Sequence, residues 1–73
     1  MSEEQCFELL RQLLAFPRGQ ICRHYAAALV LKGMSKTNPE LEGDPDFIAL
    51  AGAVCRDSEG DEEALAIIRR KTC

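Results

Sequence analysis

Helix-breaking residues recur along this chain and divide it into four segments. The breaks fall at residues 17–19, 33–44 and 57–60, where proline, glycine, asparagine and aspartate are concentrated. Proline constrains the residue before it away from helical geometry, and glycine supplies the turn that ends a helix. Between the breaks, apolar residues recur every three or four positions, without the strict alternation of a half-buried strand. The pattern therefore predicts an all-α protein, a compact bundle of four short helices at about 3–16, 20–32, 45–56 and 61–71.

The predicted helix starts carry side chains that stabilise a helix N-terminus. Ser2 and Gln5 have the spacing of a capping box, in which each side chain accepts from the backbone N–H of the other residue. Asp44 followed by Pro45 places an N-cap residue before the residue type that is favoured at the first helical position. The fourth segment begins Asp-Glu-Glu and ends Arg-Arg-Lys, which matches the helix dipole. These local signals predict where helices one, three and four begin.

The second segment has the longest apolar run and predicts the central helix of the bundle. No polar face remains between Tyr25 and Leu31, and Gly33 directly after Lys32 is typical of a helix end. A helix that is apolar on all sides needs cover on more than one side. Either the other three helices enclose it, or part of its surface is left for a partner.

The chain has the length of one small domain, which we expect to cover residues 1–73. Its 73 residues include four aromatic side chains and no tryptophan, so its core is built mainly from aliphatic residues and alanine. A domain this small buries only about 60% of the surface of its unfolded chain. Burial against a partner or a second copy would add stability that the chain alone supplies only marginally. The small size therefore favours an interaction protein.

Composition excludes a membrane-spanning protein and makes a metal or cofactor site unexpected. The longest apolar run, residues 25–31, is far below the roughly 18–20 residues that a membrane helix needs. The first residues lack the basic and apolar regions of a signal peptide, so we expect a cytoplasmic protein. The four cysteines form no C-x-x-C pair and His24 is the single histidine, which is unfavourable for zinc. We expect no metal and no cofactor.

The cysteines are expected to be reduced thiols, because the cytosol keeps them so. Cys22 lies on an apolar helix face and is expected to be buried, with Cys6 at the edge of the core and His24 on the surface. Cys73 differs, since it follows Arg69, Arg70 and Lys71, and positive charge favours the reactive thiolate. A redox-responsive switch is therefore one hypothesis for the function.

No catalytic motif is present in the sequence. Asp57, Glu59 and Asp61 alternate as the first ligands of a calcium loop do, but Glu62 stands where the loop needs glycine and Ile68 where it needs a bidentate glutamate. Phosphate-binding and nucleophile motifs are also missing. We therefore predict that the protein is not an enzyme.

The main hypothesis is a small protein-binding module: an adaptor, an inhibitor or a chaperone-like subunit. It would act through an apolar helical surface, on a protein partner or on a second copy in a homodimer. Residues 37–63 contain nine acidic residues and one arginine, so an acidic loop flanks this surface and would select for charge. The expected partner-binding residues are Leu10, Leu14, Tyr25, Leu29, Phe47 and Val54, with the loop acids Glu40, Glu42 and Asp46.

The alternative hypothesis is a nucleic-acid-linked regulator, such as a transcriptional one. Residues 1–36 contain five lysines or arginines and three acids, so helices one and two have a positive balance. The acidic connection from 34 to 44 is longer than the tight turn of a helix-turn-helix motif, which favours the protein-binding reading. The expected nucleic-acid-binding residues are Arg11, Arg18, Arg23, Lys32 and Lys36, with His24 beside them.

Overall fold

The computed structural model describes residues 2–15 and 22–72. The described residues form four α-helices joined in part by two short 3-10 helices. The 3-10 helices are Pro39–Gly43 and Asp57–Gly60, and the α-helices are α1 (Glu3–Ala15), α2 (Arg23–Thr37), α3 (Pro45–Cys55) and α4 (Asp61–Thr72). The prediction of an all-α bundle of four short helices is confirmed. The predicted break at 17–19 and the predicted helix limits at 16 and 20 lie outside the described residues.

Local capping signals form as the sequence predicts. The backbone N–H of Ser2 donates to Gln5 Oε1 at 2.9 Å, and that of Gln5 donates to Ser2 Oγ at 3.1 Å. The side chain of Asp44 accepts from the backbone N–H of Asp46 at 2.9 Å, with Pro45 at the first helical position. Each cap satisfies N–H groups that a helix start leaves without intrahelical partners.

The four helices form a closed ring in which neighbours run antiparallel. α1 packs against α2 and α4, and α3 packs against the same two helices. Arg23, at the start of α2, donates to the carbonyl oxygen of Leu14 near the end of α1. Lys71, near the end of α4, donates to Asp44 beside the start of α3. The bundle measures 33 × 22 × 21 Å along its principal axes.

One core fills the centre of the ring, and every α-helix contributes to it. On each helix the buried residues recur at three- and four-residue intervals, which places them on one face. The core consists of Phe7, Leu10, Leu14, Ala27, Leu31, Met34, Leu41, Phe47, Leu50, Ala53, Val54, Ala64, Ile67 and Ile68. Because each helix supplies one face, no helix of the described bundle is central.

The prediction that α2 ends at Lys32 is wrong, since the helix continues through Gly33 to Thr37. Met34 explains the extension: it lies one turn beyond Leu31 and is buried in the core. Burying a methionine contributes about 1.5–3 kcal/mol, whereas glycine within a helix costs about 1 kcal/mol. Long-range packing therefore outweighs the local stop signal.

The prediction that α2 is the central helix is also wrong, and of the two alternatives for its surface the structure leaves part of it uncovered. Tyr25 is 68% exposed and Leu29 is 51% exposed, so α2 presents apolar side chains to solvent. Cys22, expected to be buried, is exposed, and Cys55 at the end of α3 is exposed as well. None of the helices in the described part of the chain is long and apolar enough to cross a membrane.

The second 3-10 helix packs its backbone directly against α3. A Cβ atom on Gly60 would lie 1.9 Å from the carbonyl oxygen of Ala53, so only glycine fits at this position. Asp57, at the start of the same segment, has a φ of 56° in the left-handed region, which aspartate tolerates better than most residues. This tight junction sets where α4 begins against α3.

Candidate functional site

The outer face of α2 exposes two large apolar side chains to solvent. It consists of the exposed residues Tyr25, Ala28, Leu29, Lys32 and Lys36, which recur at helical spacing. Its first half is apolar and its second half is basic. α2 contains no acidic residue between 23 and 37, all of which the structure describes. The face is therefore amphipathic along its length, with positive charge at one end.

Four of the six apolar residues expected to contact a partner lie inside the protein. Leu10, Leu14, Phe47 and Val54 are buried in the common core. Their side chains stabilise the bundle and are out of reach of a partner on the folded surface. Of the expected apolar set, the structure leaves Tyr25 and Leu29 accessible, and it places them together on α2.

The acidic residues of the same prediction lie at the opposite end of α2 from Tyr25. Glu40 and Glu42 are exposed in the first 3-10 helix, which follows α2. Tyr25 is twelve residues before the end of α2, a separation of roughly 18 Å along the helix axis. Asp46 lies on α3 and accepts from Arg70 of α4 at 3.1 Å. The acids therefore do not adjoin the apolar half of the outer face.

The basic residues expected to bind nucleic acid do not form one surface. Arg11 is exposed on α1 and forms an ion pair with Glu8, and its hydrogen bond lowers the pKa of the Glu8 carboxyl. Arg23 is buried, and Arg18 lies outside the described residues. Lys32 and Lys36 are exposed one turn apart on the outer face of α2. The described residues of this basic set therefore lie in three separate places: exposed on α1, buried at the start of α2, and exposed on the outer face of α2.

A buried polar cluster joins the ends of three helices, and the sequence interpretation missed it. Arg23 donates to Leu14 O at 2.7 Å and lies 3.0 Å from Asp61 Oδ2. His24 Nε2 lies 2.8 Å from Asp61 Oδ1, and its Nδ1 lies 3.9 Å from Asp57. His24, expected on the surface, is therefore mostly enclosed. Among the described residues, no buried side-chain nitrogen or oxygen lacks a hydrogen-bond partner.

The contacts of this polar cluster stabilise helix ends. The carbonyl oxygen of Leu14 is one of the groups that a helix end leaves unpaired, and the Arg23 guanidinium satisfies it. Asp61 lies at the start of α4, where a carboxylate is favoured by the helix dipole. The signal available in the sequence was a pair of polar residues, Arg23 and His24, directly before the apolar run 25–31.

A small depression opens between the start of α1 and the end of α2. Its volume is about 120 Å³, below the range of about 300–1,000 Å³ that is typical of small-molecule sites. It is lined by Glu3, Cys6, Met34, Thr37, Asn38 and Leu41. Within residues 2–15 and 22–72, no group of three or more His, Cys, Asp or Glu side chains is placed to hold a metal ion.

Thiols are present at the surface and at the core edge. Cys6 is half-buried, as predicted, whereas Cys22 and Cys55 are exposed. Cys73 and its predicted reactivity lie outside the described residues.

Searches against protein-family models, curated proteins and solved structures found no match.

Proposed function

We propose that the protein is a non-enzymatic protein-binding module whose partner docks on the outer face of α2. One observation carries the proposal: Tyr25 and Leu29, on adjacent turns of one helix, are 68% and 51% exposed. Single exposed apolar residues are normal on a soluble protein, but a cluster on one helix face is typical of an interface. Tyrosine is also among the residues enriched at interface hot spots.

The role of adaptor, inhibitor or chaperone-like subunit follows from this mode of action. The protein would act by occupying a partner surface, with no covalent chemistry of its own. We place it in the cytoplasm, where exposed thiols such as Cys22 and Cys55 stay reduced. A homodimer through the same face would be a self-directed form of the same activity.

The test compares two variants with the wild-type protein. Tyr25→Ser/Leu29→Ser removes the apolar half of the outer face, and Ala66→Ser is the matched control at an exposed position on α4. Partners are captured from a lysate of the source organism, purified and titrated by calorimetry. We expect the double variant to bind at least tenfold more weakly, since each hot-spot residue contributes more than about 1 kcal/mol. The control should bind like the wild type.

Light scattering on the pure protein reports self-association in the same experiment. A concentration-dependent dimer that the double variant abolishes would identify a second copy as the partner. A strict monomer at high concentration that recovers no partner, or equal binding by the double variant, would contradict the proposal.

A nucleic-acid-linked role is the second candidate, and Lys32 and Lys36 on one exposed face favour it. Two lysines neutralise few phosphates, so binding through them would be weak at moderate salt. Fluorescence anisotropy with duplex DNA at increasing salt tests this role. Tight binding with a steep salt dependence, lost in Lys32→Glu/Lys36→Glu, would favour nucleic acid over protein as the partner.

A further inference from the structure

The imidazole of His24 lies between two carboxylates where three elements meet. Its Nε2 lies 2.8 Å from Asp61 Oδ1 at the start of α4, and its Nδ1 lies 3.9 Å from Asp57 Oδ1 at the start of the second 3-10 helix. The side chain of His24 is 17% exposed and that of Asp61 is 21% exposed, whereas that of Asp57 is 77% exposed. One contact is therefore short and partly enclosed, and the other is longer and open to water.

The number of protons on the imidazole decides how many of these contacts are favourable. A neutral imidazole has one N–H, so it can donate to one carboxylate only. The shorter distance assigns that N–H to Nε2, which donates to Asp61. Nδ1 then has a lone pair, and the Asp57 carboxylate beside it is also an acceptor. A second proton gives Nδ1 its own N–H and makes the contact with Asp57 attractive.

The charges of the cluster are balanced when His24 is protonated. Arg23 of α2 lies 3.0 Å from the second oxygen of Asp61. Two carboxylates and one guanidinium give the cluster one net negative charge while the imidazole is neutral. A proton on His24 brings this charge to zero in a site that is largely shielded from water on the Asp61 side.

The other elements at this end direct their polar groups elsewhere. α1 contributes the carbonyl oxygen of Leu14, which accepts from Arg23 at 2.7 Å. Arg56, directly after α3, bonds Glu63 of α4 at 2.6 Å. Within residues 2–15 and 22–72, no further ion pair reaches His24. The charge of the imidazole therefore acts mainly on the two carboxylates that it contacts.

Asp57 connects the imidazole to the backbone of the second 3-10 helix. Its φ of 56° is left-handed, a conformation that is unfavourable for a residue with a side chain. A side-chain contact that holds Asp57 offsets part of this strain. The backbone N–H of Asp61 donates to Ser58 O directly after Asp57 in the chain. Protection of the Asp61 amide from exchange with solvent therefore reports how often this segment opens.

We propose that His24 is a pH-dependent switch, which holds the second 3-10 helix to α2 through Asp57 when it is protonated and keeps only the contact with Asp61 when it is neutral. Histidine as a residue type changes charge between about pH 5 and 8. The proton is exchanged with water, and the N–H at Nδ1 is the one bond that forms or breaks. The start of α4 stays on α2 in both states, because Arg23 continues to bind Asp61.

Solvent exchange of backbone amides in the full chain, measured by NMR and corrected for its intrinsic pH dependence, tests the switch between about pH 8 and about pH 5.5. We expect protection of the Asp61 amide to rise about two- to fivefold at the lower pH, the effect of an exposed ion pair. The rise should be lost in Asp57→Asn, since asparagine tolerates a left-handed φ but has no charge. Glu59→Gln removes an exposed acid from the same 3-10 helix and should respond like the wild type. The amide of Leu41, in the first 3-10 helix, is the internal reference.

The nitrogen chemical shifts of the wild-type imidazole give a readout that needs no variant. At about pH 8 we expect the proton on Nε2, and a proton on Nδ1 would overturn the assignment of the donor. Protection of the Asp61 amide that does not change with pH, or that rises equally in Asp57→Asn, would overturn the switch. A rise that Glu59→Gln also abolishes would show a general effect of charge and would overturn it as well.

Discussion

The two ends of the bundle are held together by different polar contacts. At the end where α1 finishes and α2 and α4 begin, Arg23 is 8% exposed and bridges Leu14 O and Asp61. At the other end, Lys71 of α4 pairs with Asp44 beside the start of α3 at 2.6 Å, with side chains 22% and 27% exposed. The first contact is enclosed, and the second is open to water and salt.

This difference predicts which end tolerates change. A buried charge that loses its partner keeps its full desolvation penalty, whereas an exposed pair is replaced by water at little expense. The Arg23 end also contains the close approach of Gly60 to α3, so its backbone has little room to adjust.

Gly60→Ala should be the most destabilising substitution. Its Cβ would lie 1.9 Å from Ala53 O, so either α3 or the second 3-10 helix must move. Overpacking typically costs about 1–3 kcal/mol and more where the obstacle cannot give way, and here the obstacle is backbone. Urea unfolding followed by circular dichroism measures the change. Gly52→Ala is the control, since nothing lies within 4 Å of a Cβ at that position. Equal stabilities of the two variants would contradict the close approach.

Arg23→Met should destabilise the protein by about 2–3 kcal/mol, because it removes the guanidinium from Asp61 Oδ2 and leaves the Leu14 carbonyl without its buried partner. The same substitution at exposed Arg11, which pairs with Glu8, should leave the unfolding midpoint nearly unchanged. In Arg23→Met/Asp61→Leu the loss should be smaller than the sum of the single losses, since no buried charge is left alone. Additive losses would show that the two side chains do not act as a unit.

At the open end of the bundle, the contribution of Asp44 to the stability of the folded protein should depend on pH. The hydrogen bond from Lys71 lowers the pKa of Asp44 below its ordinary value of 3.8. A lowered pKa in the folded state stabilises the protein above the unfolded pKa, and this stability is lost as the pH falls through the folded value. Lys71→Met should therefore lower the Tm at neutral pH and converge with the wild type well below pH 3.8.

Thermal unfolding across this pH range measures the effect, with Arg69→Met, at an exposed position of α4, as the control for a lost surface charge. A difference between Lys71→Met and the wild type that stays constant as Asp44 becomes protonated would contradict this origin of the stability.

Gly33→Ala should stabilise the protein by about 0.5–1 kcal/mol, the smallest of the four effects and the one of opposite sign. Gly33 lies inside α2, and nothing is within 4 Å of a Cβ there. Alanine would strengthen the last turns of α2 without a new contact. Chemical denaturation tests it, and a loss of stability would mean that α2 ends near Lys32, as the sequence alone predicts.

Sequence signals predicted the fold class and the starts of α1, α3 and α4, because these depend on residues close along the chain. Ser2 with Gln5 and Asp44 with Asp46 form the expected caps. The acidic start and basic end of α4 also match its limits. Such interactions span one helical turn, so a linear reading detects them.

The candidate site was predicted only in part. Tyr25 and Leu29 were included among the apolar residues of the helical surface, and both are exposed. The sequence did not show that Leu10 and Phe47, in the same predicted set, would be buried in the core. A helix apolar on all sides, such as residues 25–31, does not reveal from its own pattern which side faces the core. The choice is made by the neighbours, and here the core accepts Ala27 and Leu31 and leaves Tyr25 outside.

By itself, then, the sequence determined four helices, the caps of α1 and α3 and the charge gradient along α4, because each follows from contacts within a turn or two. Tertiary structure alone decided three things. It carried α2 past Gly33 to bury Met34, enclosed Arg23 between the end of α1 and the start of α4, and left Tyr25 and Leu29 exposed on α2. These outcomes depend on residues distant in sequence, such as Arg23 and Asp61, and their free energies exceed the local preferences that oppose them.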